Sequence, residues 1–251
     1  MTVLTDRATD AAVLDDLRQV RLGQAYFSRK LNELQNVDLY EISRLPGWTR
    51  AHVVAHVGYN ARAIARLVEW AETGVENPMY ESSAHRDAEI DLGATLSPRA
   101  LRHLSDHAAV ALDVAWRDLP PERWSFPVVT ARGREVPVAE TVWMRTRELW
   151  LHALDLGNGG RFSDVPATVA RRLLGDVLGT WAARDAAGAG PRHVLEATDT
   201  GEVFRADGGS DAPDARVRGA RSDLLAWATG RSVLGVTLAN GDAPDVAPRW
   251  L

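Results

Sequence analysis

Apolar side chains in the first part of the chain recur at the three- and four-residue spacing of amphipathic helices. In the first such stretch, Leu14, Leu17 and Val20 follow one another at intervals of three, with no proline between them. Thr49 and Ser97 stand where a hydroxyl would cap the N-terminus of the second and third stretches. The pattern predicts four long helices, over residues 10–34, 49–73, 97–118 and 139–156.

Two less regular stretches interrupt these helices. A polar segment that contains Pro78 and Arg86 lies between the second and third helices. A proline-rich stretch over residues 120–137 precedes the fourth helix and includes a short extended patch over residues 126–130. Neither stretch shows the periodicity of a long helix, so both are interpreted as connections within the bundle.

The pattern changes after the glycine-rich run over residues 157–160, which is typical of a helix end. Shorter segments follow: helices over residues 163–183 and 222–228, and strands over residues 193–197, 202–206, 215–219 and 233–238. We therefore predict an α+β protein. Its four-helix bundle domain spans residues 1–158, and a small α/β C-terminal domain spans residues 159–251.

Composition and charge narrow the classes of function. The 251 residues are 45% hydrophobic and 25% charged, the balance of an ordinary globular protein. No apolar run approaches the ~20 residues of a membrane span, and no basic start precedes an apolar stretch as in a secretory signal. The net charge of −5, with no basic block, argues against nucleic acid as a partner. We expect a cytoplasmic protein without membrane contacts, and a monomer is compatible with the sequence.

The chain contains 0 Cys, so it has no disulfide, no thiolate metal ligand and no sulfur nucleophile of its own. The metalloprotease motif H-E-x-x-H, glycine-rich phosphate loops and the G-x-S-x-G elbow are also absent. Chemistry that needs sulfur would have to use a thiol from outside the chain.

Three pairs of possible metal ligands are spaced four residues apart on the predicted helices. Four residues amount to about 6 Å of rise and roughly 40° of rotation, so the members of a pair face the same direction. One such pair is weak support for a metal site, because exposed histidines produce the spacing by accident. The pairs are His52/His56, His103/His107 and Glu148/His152.

The helical phase separates these candidates. His56 lies at the edge of the apolar stripe of the second helix, and Glu148 and His152 have apolar residues on both sides of them on the fourth. A buried carboxylate needs a partner. One interpretation is an ion pair with Arg145 or Arg147. The other is a metal ion held by two imidazoles and a carboxylate, which leaves a coordination position open, as in catalytic zinc sites.

Four segments that include these residues resemble the mycothiol-dependent maleylpyruvate isomerase family. The resemblance extends over essentially the whole chain, in order. It implies a DinB-like, metal-binding four-helix bundle joined to a small α/β C-terminal domain. The segments are GWTRAHVVAHVGYNA (47–61), NPMYESSAHRDAEI (77–90), WMRTRELWLHALDLG (143–157) and PRWL (248–251).

The resemblance also implies which residues act. The zinc ligands of the family correspond to His56, Glu148 and His152, and two arginines near its site correspond to Arg86 and Arg231. The other three histidines of the spaced pairs have no counterpart. The resemblance thus implies zinc and mycothiol as cofactors, although cobalt, nickel or manganese would also suit these ligands.

The family's reaction is the cis–trans isomerisation of 3-maleylpyruvate to 3-fumarylpyruvate in gentisate degradation. Addition of a thiolate to the activated double bond leaves a single bond that can rotate, and elimination then gives the trans alkene. Arg86 and Arg231 would bind the two carboxylates of the substrate and stabilise the enolate. With Arg231 in the C-terminal domain, we expect the site in a cleft between the domains.

Two other functions remain open at this stage. A bundle of this kind would also suit an S-transferase that conjugates mycothiol or another small thiol to a different electrophile. It would equally suit a non-catalytic stress protein that binds a metal or a thiol. The substrate assay and the metal content distinguish these possibilities.

Overall fold

The computed structural model describes residues 5–185, 193–206 and 215–250. The chain divides into two compact units, Met1–Gly160 and Arg161–Leu251. Within the described part, no helix has both the length and the apolar character that crossing a membrane requires.

The first unit is helical. The four predicted helices are confirmed, and Asp10, Thr49 and Ser97 cap three of them by accepting hydrogen bonds from backbone N–H groups of the first turn. The extended patch near residue 128 is also confirmed, as one strand of a short antiparallel hairpin. The elements are α1 (Ala11–Glu33), α2 (Arg50–Thr73), α3 (Ser83–Ala94), α4 (Pro98–Asp118), β1 (Pro127–Val129), β2 (Glu135–Pro137) and α5 (Glu140–Asp155).

Helices α1, α2, α4 and α5 pack as a four-helix bundle, in which α1 contacts α5 and α2 contacts both α4 and α5. The bundle-facing stripe of α2 is buried as its phase predicts, including Val53, Val57 and Ile64. Hydrogen bonds from Arg145 to Val57 and Asn60 place the first half of α2 beside the middle of α5. The residues selected by helical phase lie along this junction.

Helix α3, which packs against α2, was not anticipated. From the sequence, this stretch is interpreted as a polar connection. In the structure only Ile90, Gly93 and Ala94 of the helix are buried, which explains why its sequence shows no helical period. The helix begins where the Ser82 hydroxyl accepts a hydrogen bond from the His85 N–H at 3.0 Å. Local capping and one small contact surface therefore form a helix that hydrophobic periodicity does not reveal. Arg86 lies in its first turns.

The described part of the second unit contains two α-helices and a four-stranded sheet, so the predicted α+β class is confirmed. The strand order is β4-β3-β5-β6, with β3 and β5 parallel and both edge strands antiparallel to their neighbours. Trp181 of α6 and Trp227 of α7 pack edge to face, with ring centroids 5.7 Å apart. The elements are α6 (Ala167–Asp185), β3 (His193–Ala197), β4 (Val203–Phe204), β5 (Ala215–Gly219), α7 (Arg221–Ala228) and β6 (Val236–Leu238).

The packing of α3 on α2 depends on the absence of a side chain at Gly93. A Cβ at this position would lie 2.5 Å from Tyr59 Cε2 and 2.9 Å from Ala55 Cβ, both on α2. We expect Gly93→Ala to lower the free energy of unfolding by about 1–3 kcal/mol, because α3 must move away from α2. Urea denaturation measures the loss. The control is Asp91→Ala on the same helix, with its side chain 74% exposed, which should change stability by about 0.5 kcal/mol or less. Equal effects of the two substitutions would contradict this close packing.

Candidate metal centre

Three side chains from α2 and α5 converge between these helices. His56 Nε2 lies 2.9 Å from Glu148 Oε2, and His152 Nε2 lies 3.1 Å from the same oxygen. One ligand atom of each residue lies within 4.8 Å of those of the other two. The side chains of His56, His152 and Glu148 are 6%, 12% and 18% exposed. The arrangement brings together the three residues selected by helical phase.

The buried guanidinium of Arg145 joins α5 to its neighbours. Its Nη1 donates to the Val57 backbone oxygen at 2.7 Å and to Asn60 Oδ1 at 2.9 Å, both on α2. Its Nη2 donates to Gln24 Oε1 of α1 at 3.2 Å. Val57 directly follows His56, so these bonds fix the position of α5 along α2 close to the site.

Glu148 pairs with two histidines and not with Arg145, one of the arginines that the sequence offered as its partner. Among the described contacts, the carboxylate is paired with the two imidazoles, and Arg145 uses its donors on α1 and α2. Burial lowers the pKa of Arg145 to about 10, partly opposed by the negative charge of Glu148. Arg145 therefore remains a cation near the carboxylate.

The protonation states of the three residues differ. Burial alone would raise the pKa of Glu148, but hydrogen bonds from His152 and His56 outweigh it and hold the pKa well below its ordinary value. Burial would also lower the pKa of His152, but hydrogen bonds to Asp155 and Glu148 raise it to about 9. Burial lowers the pKa of His56 to about 4. The metal-free site thus contains a carboxylate, an imidazolium and a neutral imidazole.

The neighbours of His56 determine its tautomer. Ionised Glu148 only accepts hydrogen bonds, so His56 Nε2 carries the hydrogen that it donates to the carboxylate. The Arg86 guanidinium only donates, and its Nη2 lies 3.4 Å from His56 Nδ1. His56 is therefore the Nε2–H tautomer in the metal-free protein, with Nδ1 accepting from Arg86.

Arg86 itself lies at the edge of this cluster. Its Nη1 donates to Asp87 Oδ1 at 2.7 Å, and its guanidinium carbon lies 6.0 Å from the centroid of the Tyr80 ring. Burial raises the pKa of Tyr80, so the phenol remains a neutral donor at physiological pH. Helix α3 thus brings one of the two predicted arginines to the three converging residues, and the segment just before it supplies the phenol.

Arg231 belongs to the second unit. It follows α7, and its Nη1 donates to the Thr229 backbone oxygen at 2.7 Å. Its role rests on the family resemblance.

The remaining histidines of the spaced pairs lie elsewhere. His52 closes the N-terminus of α2, where its Nδ1 lies 2.7 Å from the Thr49 hydroxyl in a capping box. His103 and His107 are exposed on α4, and their rings stack with centroids 4.0 Å apart. The structure does not bring these three residues to the His56 cluster.

Sequence reasoning missed one polar residue of this region, Asp155, and did not predict the contacts of a second, Arg145. Asp155 Oδ2 lies 2.9 Å from His152 Nδ1, and its spacing of three residues along the helix is a signal that could have indicated this contact. Arg145 was considered only as a partner of Glu148. Its bonds to the Val57 backbone and to Gln24 depend on helix packing, which local spacing does not show.

Comparison with known proteins gives two kinds of match. Residues 20–157 match the family model described as the mycothiol maleylpyruvate isomerase N-terminal domain. The whole fold is similar to the crystal structure of the mycothiol-dependent maleylpyruvate isomerase, with 42% sequence identity, a TM-score of 0.88, and coverage of 95% of this chain and 97% of that one. A histidine-to-alanine mutant of that isomerase matches at 41% identity with a TM-score of 0.88 and the same coverage. No curated protein matches the sequence.

The protonation states predict a proton count for metal binding. His152 is the one member of the triad that must lose a proton to bind a metal through Nε2 near pH 6.5, because Glu148 is already ionised and His56 only moves its hydrogen to Nδ1. Zinc binding at about pH 6.5 should therefore release about one proton per ion. Isothermal titration calorimetry in buffers of different ionisation enthalpy counts the released protons.

The same assignment predicts how zinc affinity depends on pH. One competing proton makes the apparent affinity rise about tenfold per pH unit while the pH stays below the His152 pKa of about 9. A release of two protons would mean that both histidines are charged, and a release of none would mean that His152 is neutral. Either count would contradict the assignment.

Proposed function

This chain belongs to the mycothiol-dependent maleylpyruvate isomerase family, and on that premise we propose that it isomerises 3-maleylpyruvate to 3-fumarylpyruvate with mycothiol and a divalent metal. The observation that carries the proposal is the convergence of His56, Glu148 and His152 in a chain that matches the isomerase along almost its whole length. We further propose that the metal is zinc.

The residues present suit zinc. Two imidazole nitrogens and one carboxylate oxygen are a common donor set for catalytic zinc, and they leave a position for a further ligand. His56, Glu148 and His152 would hold the ion, and their burial excludes most water from it. When bound there, zinc would lower the pKa of the mycothiol thiol and so favour the thiolate that adds reversibly to the double bond. The chain has no cysteine that could replace this thiol.

Arg86 is proposed to bind a carboxylate of the substrate and to stabilise the negative charge that develops on addition. A guanidinium presents a planar pair of donors that fits a carboxylate or an enolate. In the metal-free protein, Arg86 Nη2 donates to His56 Nδ1. Once His56 binds a metal through Nε2, its hydrogen occupies Nδ1, and this bond can no longer form. Metal binding would therefore free Arg86 Nη2 for the substrate, while Nη1 keeps its bond to Asp87.

The other parts of the proposal rest on the family resemblance. Arg231 is proposed as the second arginine that binds a carboxylate of the substrate. The cytoplasmic location remains a prediction from the sequence, which is also compatible with a monomer.

A turnover assay tests the proposed reaction. Protein of known zinc content is mixed with 3-maleylpyruvate, with and without mycothiol, and the conversion is followed by absorbance. We expect conversion only with mycothiol, and loss of conversion when a chelator removes the metal. Unchanged conversion without any thiol would contradict the proposal. Conjugation of mycothiol to epoxides or haloalkanes without isomerisation would indicate an S-transferase instead, and zinc binding without any turnover would indicate a non-catalytic protein.

Substitution of Arg86 tests its role separately from the metal. Arg86→Lys keeps the charge but loses the planar pair of donors, so we expect kcat/KM to fall about 100-fold while the zinc content is unchanged. The same measurement on Arg231→Lys tests the second arginine. The matched control is Arg99→Lys, at an exposed position at the start of α4, which should retain parental activity. Loss of zinc in Arg86→Lys would contradict the assignment of Arg86 to the substrate.

A further inference from the structure

Asp155 lies on the far side of His152 from the proposed metal site. Its Oδ2 is 2.9 Å from His152 Nδ1, three residues earlier on α5. The carboxylate side chain is fully buried, with 0% exposure. The imidazole of His152 is therefore held between two carboxylates, Glu148 at Nε2 and Asp155 at Nδ1.

The position of Asp155 is unfavourable for a carboxylate on general grounds. Asp155 is the last residue of α5, where the helix dipole disfavours negative charge. Its burial adds the cost of removing a charge from water. A neutral residue would avoid both costs. The hydrogen bond from His152 Nδ1 offsets part of these two costs, and it connects Asp155 to the proposed metal site.

The connection between α1 and α2 holds this end of α5 in place. The Arg44 backbone N–H donates to the Asp155 backbone oxygen at 2.9 Å. Arg50 Nε, in the first turn of α2, donates to the Leu156 backbone oxygen at 2.7 Å. The segment that leads into the His56 helix therefore fastens the residue that contacts His152. Asp155 is held by backbone contacts that do not depend on its own side chain.

The two histidines of the site differ in what supports them. A carboxylate faces His152 Nδ1, so the hydrogen on Nδ1 is retained and the lone pair of the neutral ring lies on Nε2, toward Glu148. His56 Nδ1 instead faces a guanidinium, which cannot accept that hydrogen. His152 is therefore prepared for coordination through Nε2, whereas His56 must change its tautomer first.

We propose that Asp155 is a positioning residue of the metal centre, whose carboxylate fixes the tautomer and the ring orientation of His152. This inference rests on the proposed metal role of His56, Glu148 and His152. Carboxylates behind metal-binding histidines increase ligand basicity, and their loss typically lowers metal affinity about 10- to 100-fold. Asp155 would not touch the substrate or the thiol.

The test compares zinc affinities by chelator competition on the full-length chain. Asp155→Asn keeps the size of the side chain but removes its charge, and we expect the dissociation constant for zinc to rise about 10- to 100-fold. Asp155→Ser is a second variant in case the amide disturbs folding, and circular dichroism checks the fold of each. The matched control is Asp91→Asn, whose carboxylate lies 3.8 Å from His52 Nε2 and is 74% exposed. It should leave the affinity unchanged.

The absorption spectrum of the cobalt-substituted protein reports the ligands around the metal. It would not change if Asp155 only stabilised the fold. At saturating cobalt, we expect the d–d bands of Asp155→Asn to differ from those of the parent, because a neutral amide oxygen accepts the His152 Nδ1 hydrogen more weakly than a carboxylate and leaves Nε2 a less basic ligand. A folded Asp155→Asn variant with parental zinc affinity and a parental cobalt spectrum would overturn the inference while leaving the proposed function intact. If His152→Ala binds zinc as tightly as the parent, the proposed metal site fails, and the role of Asp155 fails with it.

Discussion

The ionised carboxylate of Glu148, enclosed between two helices, is the constraint on which the site depends. A buried charge must be compensated, and here two imidazoles from different helices approach one oxygen of the carboxylate. The two imidazoles differ in protonation state, because His152 gains a proton while His56 stays neutral. The same carboxylate and two imidazoles together supply ligand atoms that bind divalent metals. The contacts that stabilise the metal-free fold therefore also prepare it for a metal ion.

The other parts of the bundle maintain this geometry. Arg145 fixes α5 against α2 one residue beyond His56, so the two helices that supply the ligands cannot slide independently. Helix α3 brings Arg86 to the free side of His56. In the proposed reaction, the residues on α2 and α5 hold the metal, whereas α3 supplies the cation for the substrate. The proposed nucleophile is the thiol of mycothiol, and the chain has no cysteine that could replace it.

The sequence predicted the long helices well because their caps and apolar periods are local signals. Thr49 and Ser97 cap the helices as expected, and the phase of α2 and α5 selected the three converging residues. Helix α3 was missed because so little of its surface is buried. The sequence also left two partners open for Glu148, since the choice depends on which acceptors of the neighbouring helices bind the Arg145 guanidinium of the same helix. That information exists only after the helices have packed.

Anomalous X-ray diffraction at the zinc edge tests most directly whether side chains from α2 and α5 bind one metal ion between them. Crystals of the purified protein should give a single strong anomalous peak at about 2.0–2.2 Å from His56 Nε2, a Glu148 carboxylate oxygen and His152 Nε2. A peak at the exposed His103 and His107 pair, or no peak between α2 and α5 in protein loaded with zinc, would contradict a metal centre at His56, Glu148 and His152.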